Sequence, residues 1–187
     1  KAAGLVLNRN QILQYYMILG GVPYYWGFLK KGLSLSQNID SILFEKDAPL
    51  RDEFKYLYAS VFKKPENYVK IIEALGTKKV GMTREEIITA TNIPNSGDLT
   101  TKLEELESCG FIRKYNAFGM KKKNAIYQLM DCFTLFYFKF LKSEPTDEHF
   151  WTNQINTPAV DTWLGLAFER VCMEHVDQIK FKLGISG

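Results

Sequence analysis

Histidine and cysteine are scarce in this chain: two of the first and three of the second among 187 residues. His149 and His175 each follow a glutamate, and neither has a ligand-spaced cysteine or second histidine, so no metal site is expected. Cys109, Cys132 and Cys172 are odd in number and far apart, which suits neither a disulfide framework nor a zinc pair. They are expected to be buried thiols of a reducing compartment, and the protein to be cytoplasmic. There is no G-x-S-x-G elbow, no C-x-x-C pair, no internal repeat and no low-complexity segment. Catalysis within these residues is therefore not expected.

Charge is missing as well, from Gln11 to Leu29. A run of about 20 apolar residues crosses a bilayer. Here Gly20, Gly21 and Pro23 interrupt the run, and Gln11 and Gln14 lie within it. Two short helices joined at Gly20-Gly21, with Pro23 in the first turn of the second, fit better, because a first-turn N–H has no helical partner to lose. No membrane partner is expected.

What is present can build a core. Hydrophobic residues make up 46% and aromatic residues 14% of the chain, a length that suits one or two domains. The net charge of +3 is too mild to announce nucleic acid by itself. Both ends, Lys1 and the Gly187 that follows the alternating "IKFKLGISG", are expected to be cut.

Periodicity predicts helices over "NRNQILQYYMILG", with Ile12, Leu13, Tyr16, Met17 and Leu19 apolar, and over Val22 to Lys31, stopped by Gly32. Ser36 is the expected cap of a third helix. In "PLRDEFKYLYASVF" the expected stripe is Leu50, Phe54, Leu57, Tyr58 and Val61, with Pro49 in the first turn. Residues 1–62 thus read as an all-helical unit. After Lys63-Lys64-Pro65 come a helix ending at Gly76 and the capping box Thr83-Arg84-Glu85-Glu86, which opens a helix "REEIITAT". Next comes "DLTTKLEELES" with Leu99, Leu103 and Leu106 on one edge. Two short strands, "FIRKY" and "AIYQL", flank the loop "NAFGMKKKN". That order predicts a winged helix-turn-helix over residues 63–130. Residues 131–187 hold "DCFTLFYFKFLK", expected to pack on the winged unit, and a last helix opened by Thr157-Pro158. The fold class expected is mainly α with a small β-wing.

Gly76 to Thr83, "GTKKVGMT", has the phosphate-loop spacing but carries Met82 where the lysine belongs, so a helix stop and a helix start explain it fully. The helix Asp98 to Ser108 would lie in the major groove of DNA. It carries Asp98, Glu104, Glu105 and Glu107 against Lys102, a balance that phosphates repel. In favour of duplex DNA stand Thr100, Thr101, Arg113, Lys114 and the loop lysines Lys121, Lys122 and Lys123. The lysines could hold phosphates without reading sequence, or form a solvated loop.

Gly20-Gly21-Val22-Pro23, "IYQLMDCFTLFYFKFL" at Ile126 to Leu141 and "LGLAFE" at Leu164 to Glu169 occur in an order that resembles the C-terminal half of prokaryotic AAA-type ATPases of the archaeal-ATPase family, relatives of the STAND nucleotide switches. The resemblance implies a helical ATPase lid, a winged helix and the start of a domain resembling PD-(D/E)xK nucleases. It implies ATP with Mg as the cofactor of the parent protein, and the ATPase core of the same chain as partner, with oligomer formation left open. By this analogy Gly20, Gly21 and Pro23 face the nucleotide, Pro23 against adenine or ribose, and Gly21 needs a backbone angle that a side chain resists. A helix–helix corner packed by Tyr15, Tyr24 and Trp26 would read identically. Glu169 fits the slot of an early-helix metal-site glutamate in the nuclease-like domain, and equally that of a solvated carboxylate. Two rival readings stand beside this one: a DNA-binding regulator using the wing lysines, and a non-catalytic interaction module.

Overall fold

The computed structural model describes residues 5–116 and 125–185. The chain is mainly helical, with one three-stranded antiparallel sheet. It divides into two compact units, residues 1–53 together with 132–187, and residues 54–131.

Asn8 opens α1 (Arg9–Leu19) with a capping box, its side chain accepting the Gln11 N–H at 2.9 Å while the Gln11 side chain accepts its own. The buried residues of α1 are Tyr15, Met17, Ile18 and Leu19; Ile12, expected inside, is exposed. The second helix is shorter than its apolar run suggests: α2 is Pro23–Trp26 only. Beyond it Asn38 takes over the backbone of Lys30, accepting its N–H at 2.7 Å and donating to its carbonyl at 3.1 Å. Those groups are then lost to a helical ladder. Ser34, not Ser36, caps α3 (Leu35–Ile39), because Ser34 is the residue with glutamine three positions on, and the two bond reciprocally. α3 runs on as a wider π-helical segment, Asp40–Phe44, all of it buried. Leu50 is buried in a turn, donating to Ile42 at 3.0 Å, and the Arg51 guanidinium holds the Phe44 carbonyl at 2.7 Å.

Helix α4 (Glu53–Val61) starts later than Pro49, with Phe54 and Tyr58 buried but Val61 exposed. α5 (Glu66–Gly76) buries Tyr68, Ile71, Ile72 and Leu75. β1 (Met82–Thr83) leads directly into α6 (Arg84–Thr91), where the expected capping box of Thr83 and Glu86 is formed. α7 (Gly97–Ser108) buries Leu99, Leu103 and Leu106 as expected. β2 (Ile112–Tyr115) and β1 both pair antiparallel with β3 (Ile126–Leu129), giving the order β1-β3-β2. The register sets Ile112 against Leu129 and Met82 against Tyr127.

α8 (Cys132–Phe136) also continues as a π-helical segment, Tyr137–Leu141. Its aromatic residues were expected on the winged unit, and here the structure differs. Phe133 packs on Tyr25, and Phe136 meets Phe44, Trp151 and Trp163 with ring centroids 5.1 to 6.1 Å apart. These rings form the core of the unit containing residues 1–53 and 132–187, where edge-to-face pairs add to the buried area. α9 (Phe150–Gln154) is followed by α10 (Pro158–Glu174), opened by Thr157 and Pro158. α10 is not the last helix: α11 (Val176–Leu183) follows across His175, over most of the alternating stretch. Among the described residues no helix is long and apolar enough to cross a membrane.

Candidate functional site

The corner between α1 and α2 is built by its glycines and closed by an indole. Gly20 ends α1, donating to the Tyr16 carbonyl at 2.8 Å, and adopts φ 65°, ψ −163°. That region is open to glycine and closed to nearly every other residue. The strained position is thus Gly20, not Gly21 as expected. The Trp26 indole N–H reaches back to the Gly20 carbonyl at 2.8 Å, and its ring meets buried Tyr15 edge to face at 5.9 Å. Burial pushes the Tyr15 phenol above its ordinary range, against a lowering hydrogen bond with Asn38.

Pro23 sits at the first position of α2, as expected, where its missing N–H leaves no helical bond unmade. Gly21, Val22, Pro23 and Tyr24 are all exposed, Tyr24 by 63%. Tyr24 is steadied by the edge of Phe28, 4.9 Å between centroids. The corner therefore presents a short backbone step, a pyrrolidine ring and a phenol ring to solvent. Tyr15 and Trp26 pack it from inside, and Tyr24 does not. A Cβ at Gly21 would lie 3.3 Å from the Tyr16 ring. Tyr16 donates to Glu174 at 3.1 Å and stands edge-on to His175, so the corner leans on the end of α10.

The second group of candidate residues lies on α7 and the sheet. Thr100 and Thr101 are exposed near the start of α7, their hydroxyls turned back to the Ser96 and Gly97 carbonyls at 3.5 and 3.2 Å. Arg113 is half-buried; it donates to Gln128 at 2.9 Å and its guanidinium stacks on Tyr115 at 4.6 Å. Gln128 in turn donates to the Lys79 carbonyl at 2.7 Å, so Arg113 belongs to a network that ties the sheet together. Lys114 is exposed, with its ammonium 5.7 Å from the Tyr127 ring centroid. Lys121, Lys122 and Lys123 lie outside the described residues.

Several α7 carboxylates are engaged locally. Asp98 pairs with Lys102, Glu105 accepts the Tyr68 hydroxyl, and Glu107 accepts the Lys114 N–H at 3.0 Å. Burial, then the hydrogen bond to Glu105, pushes the Tyr68 phenol up to about 12. Glu86 is held below the usual carboxylate range by Lys78 first and by the Thr83 N–H second.

The segment with phosphate-loop spacing is a helix end, a turn and a strand. Gly81 has φ +88°, and a Cβ there would lie 2.5 Å from the Tyr127 carbonyl, so its backbone is pressed against β3. Glu169 is exposed on α10. Among the described residues no group of three or more His, Cys, Asp or Glu is placed to hold a metal ion. Sequence reasoning overlooked Tyr24 as a surface residue, since an aromatic beside Tyr25 and Trp26 reads as core. Comparison with protein-family models, curated proteins and solved structures found no match to this chain.

Proposed function

We propose that this chain is the helical lid and winged-helix region of an AAA-type ATPase of the archaeal-ATPase kind, acting in the cytoplasm with an ATPase core supplied elsewhere in the same protein. The observation that carries the reading is the Gly20–Tyr24 corner. Its inner side is fixed by Trp26 and Tyr15, with Gly20 buried and its carbonyl taken by the indole, and its outer side exposes Gly21 and the Pro23 ring. A backbone step without side chains lets a ligand approach closely, and a flat apolar ring suits a base. On this reading ATP with Mg is held chiefly by the core, and Gly21 and Pro23 close over it, while Gly20, expected to face the nucleotide, is buried and shapes the step from inside. The order of helices in residues 54–131 and their β1-β3-β2 sheet support a winged helix. Glu169 is the residue assigned to the start of a nuclease-like domain.

The experiment is Pro23→Ala in the protein carrying its ATPase core. Nucleotide affinity is expected to fall while the apo melting temperature stays unchanged. Unchanged affinity would reduce the corner to architecture.

A second reading rests on charge. Residues 54–131 carry thirteen Lys and Arg against nine Asp and Glu, a net +4 within a chain of +3 overall. That excess supports binding of duplex DNA through phosphates, by Lys121, Lys122, Lys123 and Lys114. Thr100 and Thr101 would stand at the groove end of α7, beside carboxylates that disfavour it. Titration of duplex DNA at low and moderate salt tests this reading. Reversing the three loop lysines should weaken all sequences alike and flatten the salt dependence.

A further inference from the structure

Tyr16 meets the candidate corner with its main chain and with its ring. Its carbonyl takes the Gly20 N–H at 2.8 Å, which closes the last turn of α1. Its ring then stands against the next residue. The three atoms nearest to a Cβ built on Gly21 all belong to Tyr16: Cε2 at 3.3 Å, the hydroxyl oxygen at 3.7 Å and Cζ at 3.9 Å. The contact is made by the hydroxyl end of the ring, which swings furthest when the side-chain torsions change. Two residues at the end of α10 hold that end still. The Tyr16 hydroxyl donates to the Glu174 carboxylate at 3.1 Å, across 158 positions of sequence, and His175 meets the ring edge to face at 5.9 Å. His175 is anchored in turn, its Nδ1 3.0 Å from the Val171 carbonyl and its main chain joining α10 to α11. The packing of α10 does not call for this bond, because its buried residues are Val160, Trp163, Ala167 and Arg170 while Glu174 is exposed. What the bond does is place a ring, and through it an exposed glycine that has no side chain of its own to anchor it.

We propose that Glu174 is a positioning residue for the Gly21 step, acting through the Tyr16 ring, so that closure of the corner on a nucleotide is coupled to the end of α10. Coupling to a nucleotide rests on the lid reading of the corner; the placing of Gly21 does not. With Glu174 engaged, the ring leaves the step one position. With the carboxylate gone, the ring tip turns more freely, and a ligand must order the step as it binds, at a cost in affinity. Linkage makes the effect reciprocal: a nucleotide on the corner strengthens the bond between Tyr16 and Glu174 by the same factor.

The test uses the protein carrying its ATPase core, with ATP and Mg as the probe and Pro23→Ala as the control for the corner. Selective isotope labelling of glycine reports the Gly21 amide shift. Tyr16→Phe removes the hydroxyl and keeps the ring, while Glu174→Leu removes the acceptor. Each should move the Gly21 shift and weaken ATP binding about threefold to tenfold, the equivalent of one hydrogen bond. The double variant should bind no more weakly than either single one, because both remove the same contact. Glu174→Gln keeps an amide oxygen as acceptor and should retain the original shift and affinity. The apo melting temperature should scarcely change, since Glu174 is exposed. The proposal is overturned by a Gly21 shift that moves in neither single variant, by losses that multiply in the double variant, or by unchanged affinity where Pro23→Ala weakens it. Unchanged affinity in every variant, Pro23→Ala included, removes the nucleotide reading, and the Gly21 shift alone then decides whether Glu174 places the step.

Discussion

The carboxylate of Asp40 accepts the main-chain N–H of Trp151 at 2.7 Å, joining residues 111 positions apart in sequence. It also takes the N–H of Thr152 at 3.1 Å and the Thr152 hydroxyl, so one buried side chain on the first π-helical segment caps the start of α9. His149, the residue in the cap position, contributes no side-chain bond. Asp40→Ala leaves the buried Trp151 amide unsatisfied and should cost about 2–3 kcal/mol. For a chain of this size that lowers the melting temperature by roughly 4–12 °C. Thermal melts followed by Trp fluorescence check it, and an unchanged transition would show that water replaces the carboxylate.

Gly81→Ala should be among the most damaging single-methyl changes. The new Cβ would meet the Tyr127 carbonyl at 2.5 Å and the Ile126 side chain at 2.7 Å, with φ at +88°. A cost of about 2 kcal/mol or more is expected from strain and clash together. Hydrogen exchange should show early opening at Met82 and Thr83, with the leucine edge of α7 slower to respond.

At the α1–α2 corner the two glycines should separate. Gly20→Ala forces a side chain into a glycine-only region and should cost about 1–3 kcal/mol. Gly21→Ala meets only the Tyr16 ring, at 3.3 Å, which a small ring shift relieves. Its cost should be the lesser of the two, and Pro23→Ala should scarcely move the melt. Three melting curves decide the order.

Tyr68 gives residues 54–131 an alkaline limit. Its phenol lies at about 12 in the folded chain against 10.0 ordinarily. Between those values the folded state holds the proton that the unfolded state has released, so stability falls as pH rises. It is fully present below pH 10.0 and lost progressively toward about 12. Absorbance titration of the phenolates should show a late-titrating tyrosine that is lost in Tyr68→Phe, with Tyr15 remaining above the ordinary range in both, and that variant should lose less stability across the same window.

Signals that sit within one or two turns of helix were legible in the amino-acid sequence. Thr83 with Glu86, Thr157 with Pro158, and the Leu99–Leu103–Leu106 edge all form where their spacing placed them. Neighbouring serines are harder to separate: Ser34 and Ser36 are both good caps, and the glutamine three residues after Ser34 settles it. What depends on distant residues was not legible. β1 has two residues and exists because β3 offers it a partner. Lys30 leaves its predicted helix because Asn38 bonds its backbone. The aromatic run of α8 carries no sign of which surface it covers, since any apolar wall satisfies it, and the rings of Phe44, Trp151 and Trp163 supply one. At the candidate corner, Gly20 and Gly21 are equivalent in sequence, and the unusual angle falls on Gly20, which ends α1 and gives its carbonyl to Trp26.

The division of the chain sets a schedule for its synthesis. Residues 1–53 complete their unit with residues 132–187, and the whole of residues 54–131 is made in between. At about 5–20 residues per second a ribosome takes roughly 4–16 s over that interval. Throughout it Tyr25, Phe44 and the π-helical turn carrying Asp40 await Phe133, Phe136 and Trp151 with their apolar surfaces uncovered. The intervening unit is contiguous and can close first. The early helices are thus the part of this protein that a chaperone is best placed to meet, and slowing translation after residue 131 would lengthen their exposure without touching a single native contact.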